Sequence, residues 1–259
     1  MMKKLLLGAI GVAAMFTTGA SAADLAARPY TKAAPMIAAV YDWSGFYIGA
    51  NGGWGTSRKC YDISRDFILV LNPAVAEGCH DASGGTVGGQ IGYRWQSAAW
   101  VFGVEAQGNW ADFKGSNTSL YYGPPVDNRS KVDAFGLFTG QIGYSWNTFL
   151  LYVKGGAAVT RDKYEGVNTA VPGVFDRVTE TRWGGVVGVG AEYSFAPNWS
   201  LAVEYDHLFM GSRNLDFYTT GNLFLGPGLF TRTDRIRQDV DLVTVRLNYR
   251  WGGPVIAKY

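Results

Sequence analysis

RWGGVVGVGAEYSF, residues 182–195, alternates without a break. Trp183, Gly185, Val187, Val189, Ala191, Tyr193 and Phe195 fall on one face, which is apolar with aromatics at both ends. Gly184, Val186, Gly188, Gly190, Glu192 and Ser194 fall on the other, which is small or charged. Successive side chains of a strand point to opposite sides, so this stretch reads as one strand held between two unlike environments.

Outward from it, the pattern recurs seven more times. The predicted strands lie near 44–56, 85–96, 100–112, 132–146, 149–160, 182–195, 199–210 and 239–251. Each is about as long as the ~9–11 residues a tilted strand needs to cross a bilayer, or slightly longer. Tight turns are expected around Ser97-Ala98, Asn147-Thr148 and Ala196-Pro197-Asn198, and long loops at 57–84, 113–131, 161–181 and 211–238. Short turns on one side and long loops on the other are the pattern of outer-membrane barrels. The fold expected is therefore an all-β, eight-stranded antiparallel up-and-down transmembrane barrel. Its loops are extracellular and both termini periplasmic, the side from which the barrel-assembly machinery inserts such proteins.

A soluble lipocalin also has eight strands, with its apolar face inward around a greasy ligand. Here the charged face is lined with Gly, which suits a crowded interior. Trp95, Trp100, Trp146, Tyr193, Trp199 and Trp251 all sit beside tight turns. That is the lower aromatic girdle a membrane interface requires.

Residues 1–22 read as a signal peptide: Lys3 and Lys4, an apolar core from Leu5 to Phe16, then Ala20-Ser21-Ala22. Removing them balances basic and acidic residues at 21 each, so the formal +2 belongs to the export segment and gives no support for nucleic-acid binding. Residues 23–42 form an extended periplasmic lead-in containing Pro29 and Pro35, and 43–259 form the barrel. The two cysteines, Cys60 and Cys79, would meet an oxidising periplasm, and a disulfide within the first long loop follows.

Trp43-Ser44-Gly45-Phe46-Tyr47-Ile48-Gly49, Val101-Phe102-Gly103-Val104-Glu105, Gly140-Gln141-Ile142-Gly143-Tyr144, Asn248-Tyr249-Arg250-Trp251 and the tail Pro254 to Tyr259 occur in that order. As an ordered set they resemble the small immunogenic outer-membrane proteins of alpha-proteobacteria. The resemblance covers essentially the whole mature chain. It implies an eight-stranded, porin-like surface antigen, with haem binding attributed to some members.

Candidates for chemistry are few. His80 lies in the first long loop, and His207 shares the lipid-facing parity of Val203 and Tyr205. Lipid A deacylases place a His and a Ser on the outer wall of such a barrel, but Leu208 and Phe209 follow here. His207 therefore reads as an interfacial residue at headgroup level, and no enzyme is expected. No cofactor or metal-ligand spacing stands out.

The inward-facing charges say more. Glu105, Lys154, Glu192, Glu204 and Arg246 lie about four to six positions from the turn end of their strands, with Arg94 and Arg250 lower and Gln90 and Gln141 at mid-level. They form either a salt-bridged plug or the constriction of a narrow channel. Eight strands leave room only for side chains, which favours the plug. Tyr121, Tyr122, Phe217, Tyr218, Phe224 and Phe230 put aromatics in the outer loops, as loop packing or as a patch for haem or a host surface. The leading expectation is a structural, surface-exposed barrel contributing to outer-membrane integrity, in contact with lipid and lipopolysaccharide. A small-solute channel and a surface receptor are the alternatives.

Overall fold

A computed structural model describes residues 41–170, 173–221 and 226–251. The stretch expected to be a signal peptide, the expected lead-in up to residue 40, Phe224 and the 254–259 tail lie outside the described residues. Eight antiparallel strands close into a barrel in chain order: β1 (Gly45–Asp66), β2 (Val70–Ser97), β3 (Trp100–Thr118), β4 (Val126–Trp146), β5 (Phe149–Asn168), β6 (Gly173–Ala196), β7 (Trp199–Thr219) and β8 (Phe230–Trp251). β1 pairs with both β2 and β8, so no edge is left open. Two of the three tight turns use a left-handed residue, Ala98 at φ 53° and Asn147 at φ 55°.

The four long links are corrected. Most of 57–84, 113–131, 161–181 and 211–238 is strand, continuing the ladders outward; the outer connections shrink to 67–69, 119–125, 169–172 and 220–229. The reason is visible in β8. Arg232, Asp234, Ile236, Gln238 and Val240 face inward, and Thr233, Arg235, Arg237, Asp239 and Asp241 face outward. Both faces are largely polar there, so the strand lacks the amphipathic alternation that marks a membrane crossing.

The outward face bounds the membrane. Trp100 and Trp110 on β3, Tyr193 and Trp183 on β6, and Trp199 and Phe209 on β7 form lower and upper aromatic rows ten residues apart. Ten residues rise ~34 Å along a strand, or ~24 Å at a 45° tilt, close to the apolar band of an outer-membrane barrel. Between the rows, Val187, Val189, Leu201, Val203, Val245 and Leu247 point outward. All six lower aromatics named from the sequence are also outward, several in pairs: Trp199 with Tyr249 at 5.0 Å and Phe46 with Trp251 at 5.3 Å.

Candidate functional site

The interior is filled in layers, which β8 crosses from the turn end outward: Arg250, Asn248, Arg246 and Thr244 are polar, Leu242 and Val240 apolar, and Gln238, Ile236, Asp234 and Arg232 mostly polar again.

At the turn end, Tyr41, Trp43, Val101, Leu150 and Tyr152 form an apolar floor. Trp43 Nε1 donates to the Asn147 carbonyl (3.0 Å), and the Arg250 guanidinium covers the Tyr41 ring at 4.7 Å. Above the floor Arg94 meets Glu192 (2.8 Å), whose other oxygen accepts from Ser200 Oγ (2.5 Å) and Asn248 Nδ2 (3.0 Å).

The next layer is the charged centre. The Arg246 guanidinium joins Glu105 and Glu204. Lys154 lies 2.5 Å from Glu204, 3.2 Å from Asp206 and 3.8 Å from Glu105. Tyr47 and Tyr152 donate their hydroxyls to Glu105 (2.6 Å) and Glu204 (2.7 Å). This half-and-half arrangement repeats four strands on: Tyr47, Gly92 and Glu105 on β1–β3 correspond to Tyr152, Gly190 and Glu204 on β5–β7. Gly92 and Gly190 are required, because a Cβ on either would overlap the adjoining tyrosine ring.

A chain of amides runs from this level across the wall. Gln107 donates to Asn109 (3.0 Å), Asn109 to Asn51 (2.6 Å), Asn51 to Gln90 (2.7 Å) and Gln90 to Asn248 (2.7 Å). Burial of a charge in so narrow a space is tolerable because partners surround it.

Directly outward lies an apolar layer that includes Phe113, Phe135, Leu137, Val186, Leu208 and Leu242. Beyond it Lys59 meets Asp162 (2.6 Å) and sits over the Tyr164 ring at 4.5 Å. Outermost, Arg232 contacts Glu77 (3.1 Å), Asp176 (3.2 Å) and Asp234 (3.4 Å). Over it opens a cavity of about 340 Å³ at the mouth, with Phe67, Tyr122, Phe175 and Asp66 in its lining. Burial and the hydrogen bond to Asp66 (2.8 Å) push the Tyr122 phenol above its ordinary range.

Of the sequence-picked charges, the structure brings Glu105, Lys154, Glu204 and Arg246 into one cluster. Glu192 lies one level lower with Arg94, which also reaches Gln141 (3.4 Å). Arg250 joins neither group and donates instead to the Ser44 carbonyl (3.1 Å). Sequence reasoning missed Asp206, Tyr47 and Tyr152, although each shares the inward parity of its strand. It also missed Lys59, Glu77, Asp162, Asp176, Arg232 and Asp234, all in stretches read as loop, and Arg182, which opens the strand read at 182–195 with the parity of Gly184 and Val186.

Three further placements are corrected. The Cys60–Cys79 disulfide joins directly opposed residues of β1 and β2 rather than lying within a loop. His80 is on β2, buried against the Tyr61 ring (5.4 Å) and hydrogen-bonded to Asn117 and Ser130 (both 2.7 Å). Phe217 is inside the barrel, under the Arg232 guanidinium (4.5 Å). Among the described residues no group of His, Cys, Asp or Glu is arranged to hold a metal ion.

The family described as the outer membrane protein β-barrel domain matches residues 10–229. A 31 kDa outer-membrane immunogenic protein of Brucella melitensis is 32% identical over 222 residues, covering 83% of this chain and 90% of that one. A 22 kDa outer membrane protein of Rhizobium leguminosarum is 26% identical over 181 residues, 67% of each. Among solved structures, the outer membrane protease OmpT of Escherichia coli superposes with a TM-score of 0.50 at 11% identity, over 80% of this chain and 97% of that one. That likeness is one of fold, and the protease activity stays with that protein. On the family match and the Brucella relative, the chain belongs to the outer membrane protein β-barrel family and resides in the outer membrane of a Gram-negative bacterium.

Proposed function

We propose that the protein is a sealed, non-catalytic structural barrel that supports outer-membrane integrity and presents a rigid β-walled extension at the cell surface. The observation that carries this is the Arg246–Glu105–Glu204–Lys154 cluster lying directly beneath an apolar layer. An ion entering the lumen would meet first a desolvating ring and then side chains already engaged with one another. In this reading Arg94 and Glu192 brace the cluster from below, and Tyr41, Trp43 and Arg250 close the turn end.

Planar-bilayer recording of the refolded protein tests it. No steady conductance is expected. Reproducible single-channel steps would replace the seal with the alternative of a narrow small-solute channel. A second reading, a surface receptor, is favoured by the 340 Å³ cavity at the mouth, whose volume falls in the range of small-ligand sites. Titration with hemin, followed by its absorption spectrum, tests that reading for haem. Export with removal of residues 1–22 is part of the proposal, and N-terminal sequencing of the membrane form is expected to begin at Ala23.

A further inference from the structure

The charged belt above the upper aromatic row differs between two walls of the barrel. On β3–β5 its lysines are engaged: Lys114 to Asp112 (2.8 Å), Lys131 to Asp112 (3.2 Å) and Asp133 (2.9 Å), and Lys163 to Asp133 (2.7 Å), while Arg129 and Arg161 stand apart from one another without an ion pair among the described residues. On β1, β8 and β7 the charges are set differently. Arg58 stands between Asp81 and Asp239 in register, yet among the described residues neither Arg58 nor Arg237 forms an ion pair. Arg237 faces Cys60 on one side and Ser212 on the other.

One step nearer the membrane the same wall carries a built polar group. His207 Nδ1 and the Tyr205 hydroxyl both converge on Asp241 Oδ1, at 2.7 and 2.6 Å. Asp241 is in register with Thr56, and below this row the wall turns apolar with Trp54, Val243 and Val245. The group therefore sits at the rim of the apolar band, where a lipid headgroup lies. Arg58 is four residues beyond Trp54, ~14 Å along the strand and ~10 Å higher at a 45° tilt.

We propose that this wall binds one phosphorylated glycolipid of the outer leaflet, that is, lipopolysaccharide. Its acyl chains lie on the Val243–Val245 stripe, its sugar hydroxyls meet Asp241 and Asp239, and Arg58 and Arg237 take its phosphates. The mixture of guanidiniums and carboxylates suits a phosphorylated sugar: cations pair with phosphate, and carboxylates accept from hydroxyls. The surface is continuous with the lipid-facing wall. On the β3–β5 wall Asp112 and Asp133 are already held by lysines, so its unpaired Arg129 and Arg161 have no free carboxylate of that kind beside them to meet sugar hydroxyls.

The test uses the full refolded chain in detergent micelles and rough-type lipopolysaccharide, with bound lipid counted by native mass spectrometry. One molecule per barrel is expected. The double variant R58Q/R237Q should bind about thirtyfold more weakly, at roughly 1 kcal/mol per arginine near a membrane surface. Dephosphorylated lipopolysaccharide should lose affinity for the native protein by a similar factor. The control K114Q/K163Q on the other wall should bind as the native protein does. D241N, scored independently and checked for folding by its heat-modifiable mobility, should weaken binding severalfold. Native affinity in both R58Q/R237Q and D241N, or an equal loss in the control, overturns the proposal.

Discussion

The membrane-level half of the barrel and its outer extension are built from the same strands under opposite rules. Between the aromatic rows the outside is apolar and the inside polar, with Glu105, Glu192, Glu204 and Asp206 set against Arg94, Lys154, Arg246 and Arg250. Above them the outside carries charges, while the inside gains apolar groups such as Phe113, Tyr61 and Ile236. A strand in lipid must hide its polar groups inward; a strand in water can form an ordinary hydrophobic core. The apolar layer at Leu242 and Val240 marks where one regime gives way to the other.

The largest expected effect tests whether the inner charges of the two halves differ in kind. Arg246→Ala would leave Glu105 and Glu204 without their shared guanidinium in a site closed on all sides. Breaking such a buried pair costs about 3–5 kcal/mol, read as a lower denaturant midpoint in folded bilayers. Arg232→Ala removes the partner of Glu77, Asp176 and Asp234, but beneath the mouth cavity, where water can replace it. Its expected cost is about 1–3 kcal/mol. Equal losses would erase the distinction.

The outward faces give the next contrast. Val187→Arg places a charge between the aromatic rows and should cost about 2–4 kcal/mol near the bilayer midplane. Thr181→Glu lies on the same face of the same strand, two residues beyond Trp183 and opposite Arg161, and should stay within about 0.5 kcal/mol. Folding yield into lipid vesicles against denaturant measures both. A large penalty at Thr181 would mean that the membrane reaches higher than the Trp110 and Trp183 row.

This contrast also explains what the sequence made legible. Residues 182–195 gave away their strand because lipid on one side and a packed lumen on the other impose alternating chemistry. Trp110, Trp183 and Phe209 then end the signal. Beyond them RTDRIRQDVD, residues 232–241, remains strand but meets polar groups on both sides, so period two is hidden. The charges themselves were readable by parity where the strand was recognised, as with Glu204 and Arg246. Heights were less readable: barrel stagger moves Glu192 down beside Arg94, and no spacing along one strand reports that.

The smallest effect concerns the disulfide and the independence of the two halves. Cys60 and Cys79 face each other across β1 and β2, six residues beyond Trp54, and close a segment that includes the connection at 67–69. For a closed loop of this size, chain entropy sets a ceiling of about 3 kcal/mol. The expected loss is smaller, because the β1–β2 ladder continues unbroken from Cys60 down to Gly45 and still aligns both strands when the bond is cut. Thiol labelling of the unreduced protein should be negligible. After reduction, amide hydrogen exchange should rise within 61–78 and stay unchanged in 45–54 and 87–97. If reduction instead lowered the denaturant midpoint of the whole barrel as far as Arg246→Ala does, the extension and the membrane half would be a single cooperative unit, held together by the outer wall as much as by the inner charges.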